Sequence, residues 1–133
     1  MKILADTHAF LWFVTDAPQL SAKAKMILEA RDTERFFSLA SVWEIAIKAG
    51  LGKLTLRKPV EEFLPEQLAA NRFTLLNIAA EHAFRTGRLP LHHRDPFDRM
   101  LVAQCLAENL PLVSSDAALD AYGVKALVKR QRR

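Results

Sequence analysis

Short apolar runs alternate with longer amphipathic segments along the 133 residues of the chain. Short runs bounded by turn-forming residues are typical of buried strands, whereas apolar positions that recur every three or four residues are typical of helices. On this basis we predict strands over residues 2–5, 35–38, 73–76, 110–114 and 124–128. We predict helices over residues 21–31, 40–49, 59–71, 79–86 and 95–109.

Residues that favour helix ends support these boundaries. Ser21 is suited to the N-cap of the first predicted helix, and Asp95 to the N-cap of the last one, with Pro96 in its first turn. Pro59 is suited to open a helix. Gly50 and Gly87 are expected to stop the helices that precede them, because glycine commonly follows a helix C-terminus.

Strands separated by helices predict right-handed crossovers and therefore a parallel sheet with helices on both faces. The predicted fold class is α/β, a three-layer α/β/α sandwich around a central parallel sheet. The length fits one domain, which we assign to residues 1–128, with a basic C-terminal tail over residues 129–133.

Composition excludes several other classes of protein. Half of the residues are apolar and 26% are charged, as in an average globular domain. No apolar run approaches the roughly 20 residues that a membrane-spanning helix needs, so we expect no membrane association. Cys105 is the single cysteine, which excludes an intrachain disulfide and a cysteine-rich zinc site. We expect this thiol to lie in the core, and the protein to lie in a reducing cytoplasm.

The net charge of +4 comes from the end of the chain. Its last nine positions contain no acidic residue, and they hold five basic ones: Lys125, Lys129, Arg130, Arg132 and Arg133. The remaining residues include 14 basic and 15 acidic ones. Such a tail can bind a phosphate backbone, and it can equally be a solvated terminus.

Two carboxylates follow predicted strands, at the edge of a parallel sheet where ligands bind. Asp6 comes directly after the first strand, and Asp116 follows the fourth. If those two strands are neighbours, the two side chains lie close together although they are 110 residues apart. Each aspartate can also serve as a helix N-cap.

Further carboxylates occur on predicted helices. Glu44 lies in a helix that is apolar on nearly every side, so we expect the helix to be buried, and Glu44 with it. As an alternative, Glu44 forms an ion pair with Lys48, one turn later. Asp98 shares a helix face with apolar residues, although it can also simply stabilise the positive end of the helix dipole. Asp95 is better explained as the N-cap of the last predicted helix than as a member of an acidic site.

Taken together, these acids suggest a metal site. Four ionised carboxylates without buried bases beside them would repel one another. Mg²⁺ and Mn²⁺ prefer oxygen ligands and would remove that repulsion. The common nucleotide-binding and nucleophile motifs (GxGxxG, GxxxxGK[ST] and GxSxG) are absent from the sequence.

Four segments of the chain resemble the motifs of the PIN domain, in family order, and most closely those of the VapC-type toxins of bacterial toxin–antitoxin pairs. The similarity extends from Met1 to about Lys125. The segments are ILADTH at residues 3–8, SVWEI at 41–45, RDPFDRMLVAQ at 94–104 and LVSSD at 112–116.

This resemblance implies a Mg²⁺-dependent or Mn²⁺-dependent endoribonuclease. The residues that match the acidic quartet of the family are Asp6, Glu44, Asp98 and Asp116. Asp6 and Asp98 are implied as the direct metal ligands. The other two are implied to bind the metal through water, to position the nucleophile or to complete a second metal site. Supporting hydrogen bonds are implied for Thr7, Asp95 and Ser115. Arg94 and Arg99 are implied to contact phosphate or to neutralise the acids, with surface salt bridges as the alternative.

The resemblance also implies three partners: an RNA substrate, a cognate antitoxin and a second copy of the chain. An apolar surface over residues 10–13 would suit the antitoxin, and ordinary core packing explains the same residues equally well. Two other functions are compatible with the fold. One is a catalytically silent RNA- or protein-binding module. The other is a phosphatase with Asp6 as nucleophile, which the absence of a second aspartate shortly after Asp6 disfavours.

Overall fold

A computed structural model describes residues 1–92, 94–114 and 126–128, and only the backbone for the last three. The strands are β1 (Lys2–Ala5), β2 (Glu34–Ser38), β3 (Phe73–Leu76), β4 (Leu112–Val113) and β5 (Ala126–Val128). The helices are α1 (Thr7–Val14), α2 (Ala22–Glu29), α3 (Leu39–Gly50), α4 (Val60–Ala70), α5 (Ala80–Arg88) and α6 (Pro96–Glu108). No helix in the described ranges is long and apolar enough to span a bilayer.

The strands form one parallel sheet in the order β3-β2-β1-β4-β5. From β1 the chain builds outward through β2 to β3, and it then returns to the other side of β1 to form β4. The order of strands therefore reverses between β1 and β4, which is where parallel sheets open a ligand-binding crevice.

Alternate residues of β1 face two different cores. Ile3 and Ala5 pack in a cluster with the buried side chains of α1, α2, α3 and α4. Leu4 packs in a second cluster with Leu101, Val102 and other residues around α6. Because neighbouring residues of a strand point to opposite faces, these clusters lie on the two sides of the sheet. The predicted three-layer α/β/α sandwich is confirmed.

Most predicted elements are present with shifted ends. Ser21 and Asp95 are the N-caps of α2 and α6, as predicted. The strand predicted over residues 110–114 is shorter and covers only Leu112–Val113. The predicted stop at Gly87 is wrong, because α5 continues to Arg88. There the Arg99 side chain donates to the carbonyl of Thr86 and so caps the last turn from another helix.

Helix α1 was not predicted from the sequence. Its residues, Thr7–Val14, are apolar almost throughout, so they carry no helical periodicity. The helix begins immediately after β1 because the side chain of Asp6 accepts a hydrogen bond from the backbone N–H of Ala9.

Candidate active site

A hydrogen bond of Asp6 links the carboxyl ends of the neighbouring strands β1 and β4. Its Oδ1 accepts the Ala9 N–H at 2.7 Å, and its Oδ2 accepts the hydroxyl proton of Ser114 at 2.5 Å. Asp6 follows β1 and Ser114 follows β4, and these two strands are paired neighbours in the sheet. Asp6 is only 5% exposed. The carboxylate therefore caps α1 and lies at the crevice edge at the same time.

Glu44 joins this region through a chain of hydroxyl groups. Its carboxylate is buried, and Oε1 lies 2.7 Å from the Thr7 hydroxyl, which in turn lies 2.8 Å from the Ser41 hydroxyl. A hydroxyl has one proton to donate. Since an ionised carboxylate only accepts, Thr7 donates to Glu44 and accepts from Ser41. Thr7 adjoins Asp6 in sequence, so the two buried carboxylates are held in the same part of the fold.

Lys48 neutralises Glu44 from the next turn of α3. Its Nζ lies 2.5 Å from Oε2 of Glu44, and its side chain is 38% exposed. The hydrogen bond to Glu44 raises the pKa of Lys48 above its usual range, which partial burial opposes. The negative charges of Glu44, Asp95 and Asp98 raise this pKa further. The ammonium group of Lys48 therefore interacts directly with Glu44 and at longer range with the acidic start of α6.

The alternative pairing of Glu44 with Lys48, one turn later, is thus confirmed. The expectation of a fully buried α3 is wrong. Trp43 is 59% exposed, and Leu39 and Ile47 are partly exposed. Glu44 is buried because it points into the fold, while its sequence neighbour Trp43 points outward.

Asp95 and Asp98 lie at the start of α6. Asp95 accepts the N–H groups of Phe97 at 2.8 Å and Asp98 at 3.4 Å, which confirms its predicted N-cap role. Asp98 is half-buried, one turn before the buried residues Leu101 and Val102. Asp98 is thus a partly buried acid in the first turn of α6, and its charge also raises the pKa of Lys48 on α3.

Asp116 and Ser115 lie outside the described residues, as does the basic tail over residues 129–133. In the ranges that the structure describes, no three His, Cys, Asp or Glu side chains are grouped closely enough to hold a metal ion. The complete acidic quartet therefore stays a prediction. Among the described residues, Ser114 bonds to Asp6 at this edge.

The two arginines near α6 differ in their surroundings. Arg99 donates to the carbonyls of Thr86 at 2.8 Å, Pro90 at 3.0 Å and Leu89 at 3.2 Å. Through these bonds Arg99 caps the C-terminal end of α5. Arg94 is exposed and lines a cavity of about 350 Å³ beside Trp43 and Phe97. Phosphate contact by either arginine stays a prediction.

Phe10 belongs to the core and not to an exposed groove. It is completely buried, with its ring centroid 4.1 Å from that of Phe37 and 5.1 Å from that of Phe73. The core-packing alternative is thus the correct one for Phe10. Trp12 is partly exposed and contacts the ring of exposed His8.

Cys105 is a core residue, as predicted. It is 3% exposed, and burial raises the pKa of its thiol to about 12. Because the thiolate is the reactive form, the buried thiol is inert at neutral pH.

Sequence reasoning did not identify Ser41 and Ser114 as site residues. Ser41 carried a usable signal, since it is a small hydroxyl residue three positions before Glu44 in an otherwise apolar helix, and positions three apart share a helix face. For Ser114 the resemblance favoured its neighbour Ser115 instead. Ser115 lies outside the described residues.

Solved structures of other proteins share this fold. A chain of VapBC2 from Rickettsia felis, solved with a promoter DNA fragment, superposes with a TM-score of 0.72 at 17% identity, covering 97% of this chain and 98% of that one. A toxin–antitoxin complex from Klebsiella pneumoniae gives a TM-score of 0.64 at 20% identity, covering 96% and 98%. FitAcB from Neisseria gonorrhoeae superposes with a TM-score of 0.60 at 19% identity, covering 95% of this chain and 96% of that one. At these identities the likeness establishes a common fold.

Sequence comparison gives the family itself. No curated protein sequence matches the chain. The family model of the PIN domain, in contrast, matches residues 3–125, which is nearly its whole length. The chain therefore belongs to the PIN domain family.

Proposed function

We propose that the protein is the toxin of a type II toxin–antitoxin pair and acts in the cytoplasm. Its activity is that of an endoribonuclease that hydrolyses RNA phosphodiester bonds with Mg²⁺, or Mn²⁺ as a substitute, until an antitoxin neutralises it. The observation that carries this proposal is that Thr7, directly after the buried Asp6 at the strand-order switch, donates a hydrogen bond to the buried carboxylate of Glu44. Membership of the PIN domain family supports it.

The donor set fits a hard divalent cation. The carboxylates of Asp6 and Glu44 and the hydroxyls of Thr7, Ser41 and Ser114 are all oxygen donors, the type that Mg²⁺ and Mn²⁺ prefer. We propose that Asp6, Glu44, Asp98 and Asp116 hold the ion. When bound, such an ion activates water and stabilises the attacking and leaving oxygens of phosphodiester hydrolysis.

The chain prepares this site by fixing the carboxylates before a ligand arrives. Both oxygens of Asp6 accept hydrogen bonds from Ala9 and Ser114, and both oxygens of Glu44 accept from Thr7 and Lys48. Each carboxylate is therefore held in one orientation, which lowers the reorganisation needed during reaction. In this proposal Asp95 and Ser115 support the ligands by further hydrogen bonds.

In this proposal basic side chains bind the RNA backbone. The side chain of Lys48 is partly exposed, and we propose that its ammonium group attracts a phosphate that approaches the acids. Arg94 is exposed beside the start of α6, and we propose that it contacts the RNA backbone, with Arg99 holding the adjoining loop. The tail over residues 129–133 adds sequence-independent attraction to phosphate.

Two protein partners complete the proposal. The structural neighbours from Rickettsia felis and Klebsiella pneumoniae are a VapBC assembly and a toxin–antitoxin complex, which supports an antitoxin partner here. A second copy of the chain is supported by α3, where exposed apolar residues recur every four positions. They are Leu39, Trp43, Ile47 and Leu51.

One observation favours the alternative of a catalytically silent binding module. Lys48 already neutralises Glu44, so this carboxylate is satisfied without a metal ion. A module of this kind would bind RNA or protein and leave RNA intact.

Incubation of the purified protein with total RNA distinguishes the two functions. We expect cleavage with Mg²⁺, none with EDTA, and none from Asp6→Asn with Mg²⁺, because the variant lacks an anionic ligand. Asp32→Asn, at an exposed turn, is the matched control and should cleave normally. RNA that stays intact with wild-type protein and Mg²⁺, or equal cleavage by Asp6→Asn, would contradict the nuclease assignment.

A further inference from the structure

Arg35 of β2 is a buried guanidinium without a carboxylate partner in the part of the chain that the structure describes. It is 8% exposed, and it donates from Nε to the carbonyl of Leu28 and from Nη2 to that of Ala30 at 2.9 Å. Among the described residues no Asp or Glu lies at ion-pair distance from Arg35, and its hydrogen bonds to the described residues come from Nε and Nη2 only. The carbonyls at the end of α2 offer only about half a negative charge. Since buried charges are normally paired, positive charge remains uncompensated here.

Two further arginines surround the same place. Arg31, Arg35 and Arg72 line a cavity of about 310 Å³, together with Glu29 and Asn71. We call it the arginine cavity. Arg31 and Arg72 are exposed, and within the described ranges neither makes a hydrogen bond or an ion pair through its side chain. With Glu29 as the one acidic residue in this lining, the formal charge of the cavity is +2.

Arg72 occupies a backbone conformation that disfavours an arginine. Its φ is +57°, in the left-handed region, at the position just past α4 where glycine or asparagine is usual. A non-glycine residue held in this region is strained, and such strain concentrates at functional sites. The strained backbone here carries one of the three cavity guanidiniums.

The arginine cavity is separate from the acidic site. Arg35 and Arg72 lie at the amino-terminal ends of β2 and β3, whereas Asp6 and Ser114 follow the carboxyl ends of β1 and β4. In a parallel sheet these ends form opposite edges.

We infer that the arginine cavity binds a phosphate group with a charge of about −2, either free inorganic phosphate or the terminal phosphate monoester of an RNA strand. Guanidinium groups match the oxygens of phosphate in pairs of parallel hydrogen bonds. The charge of such a group at neutral pH, about −1.5 to −2, balances the +2 of the cavity. Phosphate binding by this cavity does not depend on the proposed function. Only the binding of an RNA terminus rests on that function.

The first test is a calorimetric titration with inorganic phosphate in EDTA, with chloride keeping the ionic strength constant. We expect saturable binding to wild type and at least tenfold weaker binding to Arg31→Gln/Arg72→Gln. Neither side chain makes a hydrogen bond or an ion pair in the described ranges, so this variant should fold normally. Lys23→Gln/Lys53→Gln removes the same charge from exposed positions elsewhere and should bind like wild type. Equal binding by all three proteins, or none by wild type, would overturn the inference.

A single substitution separates ligand binding from structural support. Arg72→Gly relieves the positive φ, so we expect it to melt higher than wild type without phosphate. It should gain less from added phosphate than wild type gains. A variant that melts lower and keeps the full phosphate response would overturn the role of Arg72 in binding.

A second titration identifies the source of the phosphate. A short RNA with a 5′-phosphate is compared with the same RNA bearing a 5′-hydroxyl, both in EDTA so that cleavage plays no part. If RNA is the source, the 5′-phosphate tightens binding to wild type and not to Arg31→Gln/Arg72→Gln. Equal affinity for both RNAs, with inorganic phosphate still bound, assigns the cavity to the free ion. A failure of RNA cleavage would leave both titrations unaffected.

Discussion

The ammonium nitrogen of Lys48 lies 2.5 Å from Oε2 of Glu44, although these residues belong to a site that a divalent cation is proposed to occupy. Glu44 is 3% exposed, so its negative charge needs a partner inside the fold. Lys48 supplies that partner from one helical turn away, and it also interacts with the charges of Asp95 and Asp98. The chain therefore contains its own counter-ion for the acidic site.

Lys48→Met should destabilise the protein most when no metal is present. The variant leaves Glu44 buried without its charged donor, which costs roughly 1.5–3 kcal/mol. Saturating Mg²⁺ should restore more stability to the variant than it adds to wild type, because the ion takes over the role of Lys48 at Glu44. Denaturant melts in EDTA and in Mg²⁺ measure both effects. Lys53→Met is the exposed control. If Mg²⁺ stabilises Lys48→Met and wild type equally, the ion does not replace Lys48 at Glu44.

Asp98→Asn should abolish RNA cleavage and lower stability slightly. Asp98 lies in the first turn of α6 and interacts with Lys48, so its neutralisation should cost about 0.3–1 kcal/mol in EDTA. Mg²⁺ should stabilise the Asp98→Asn variant less than it stabilises wild type, because the variant has one anionic ligand fewer. Thermal melts and an RNA cleavage assay test the two parts. Normal cleavage by folded Asp98→Asn would remove this residue from the site.

Thr7→Val should break the hydroxyl chain while preserving side-chain shape. Glu44 then loses the donor at Oε1 and Ser41 loses its acceptor, so we expect a loss of roughly 1–3 kcal/mol. A double-mutant cycle with Glu44→Gln measures the coupling between the two side chains. Thr55→Val, at an exposed position, should be nearly neutral. Additive effects in the cycle would show that Thr7 does not act through Glu44.

Removal of residues 129–133 should weaken RNA binding in low salt and flatten its salt dependence. For single-stranded RNA, every phosphate that the tail neutralises contributes about 0.7 to the slope of log affinity against log salt. Binding should be measured in EDTA at several salt concentrations, with a tail of equal length and no charge as the control. An unchanged slope would identify the tail as a solvated terminus.

Trp43→Glu should favour the monomer if α3 mediates self-association. Trp43 is 59% exposed in the apolar row along this helix, so the substitution places a charge on the proposed interface without disturbing the core. Light scattering coupled to size exclusion gives the mass of both proteins. Phe84→Glu is a control at another exposed apolar residue, on α5. Equal masses of wild type and Trp43→Glu would exclude this face as the dimer interface.

The sequence by itself determined those features that depend on nearby residues. The strands at residues 2–5 and 73–76 have the predicted ends, because short apolar runs between turn residues define them. The caps at Ser21 and Asp95 were predictable for the same reason, since a cap bonds within three residues of its own position. The pairing of Glu44 with Lys48 also followed from helical spacing.

Only the tertiary structure decided which distant residues meet. The hydroxyl of Ser114 reaches Asp6 because β4 pairs with β1, and α5 passes Gly87 because Arg99 of α6 caps its last turn. The arginine cavity likewise combines the end of α2, a strand and the end of α4. Such contacts join positions tens of residues apart, and they arise from strand order and helix packing, which no local pattern of residues encodes.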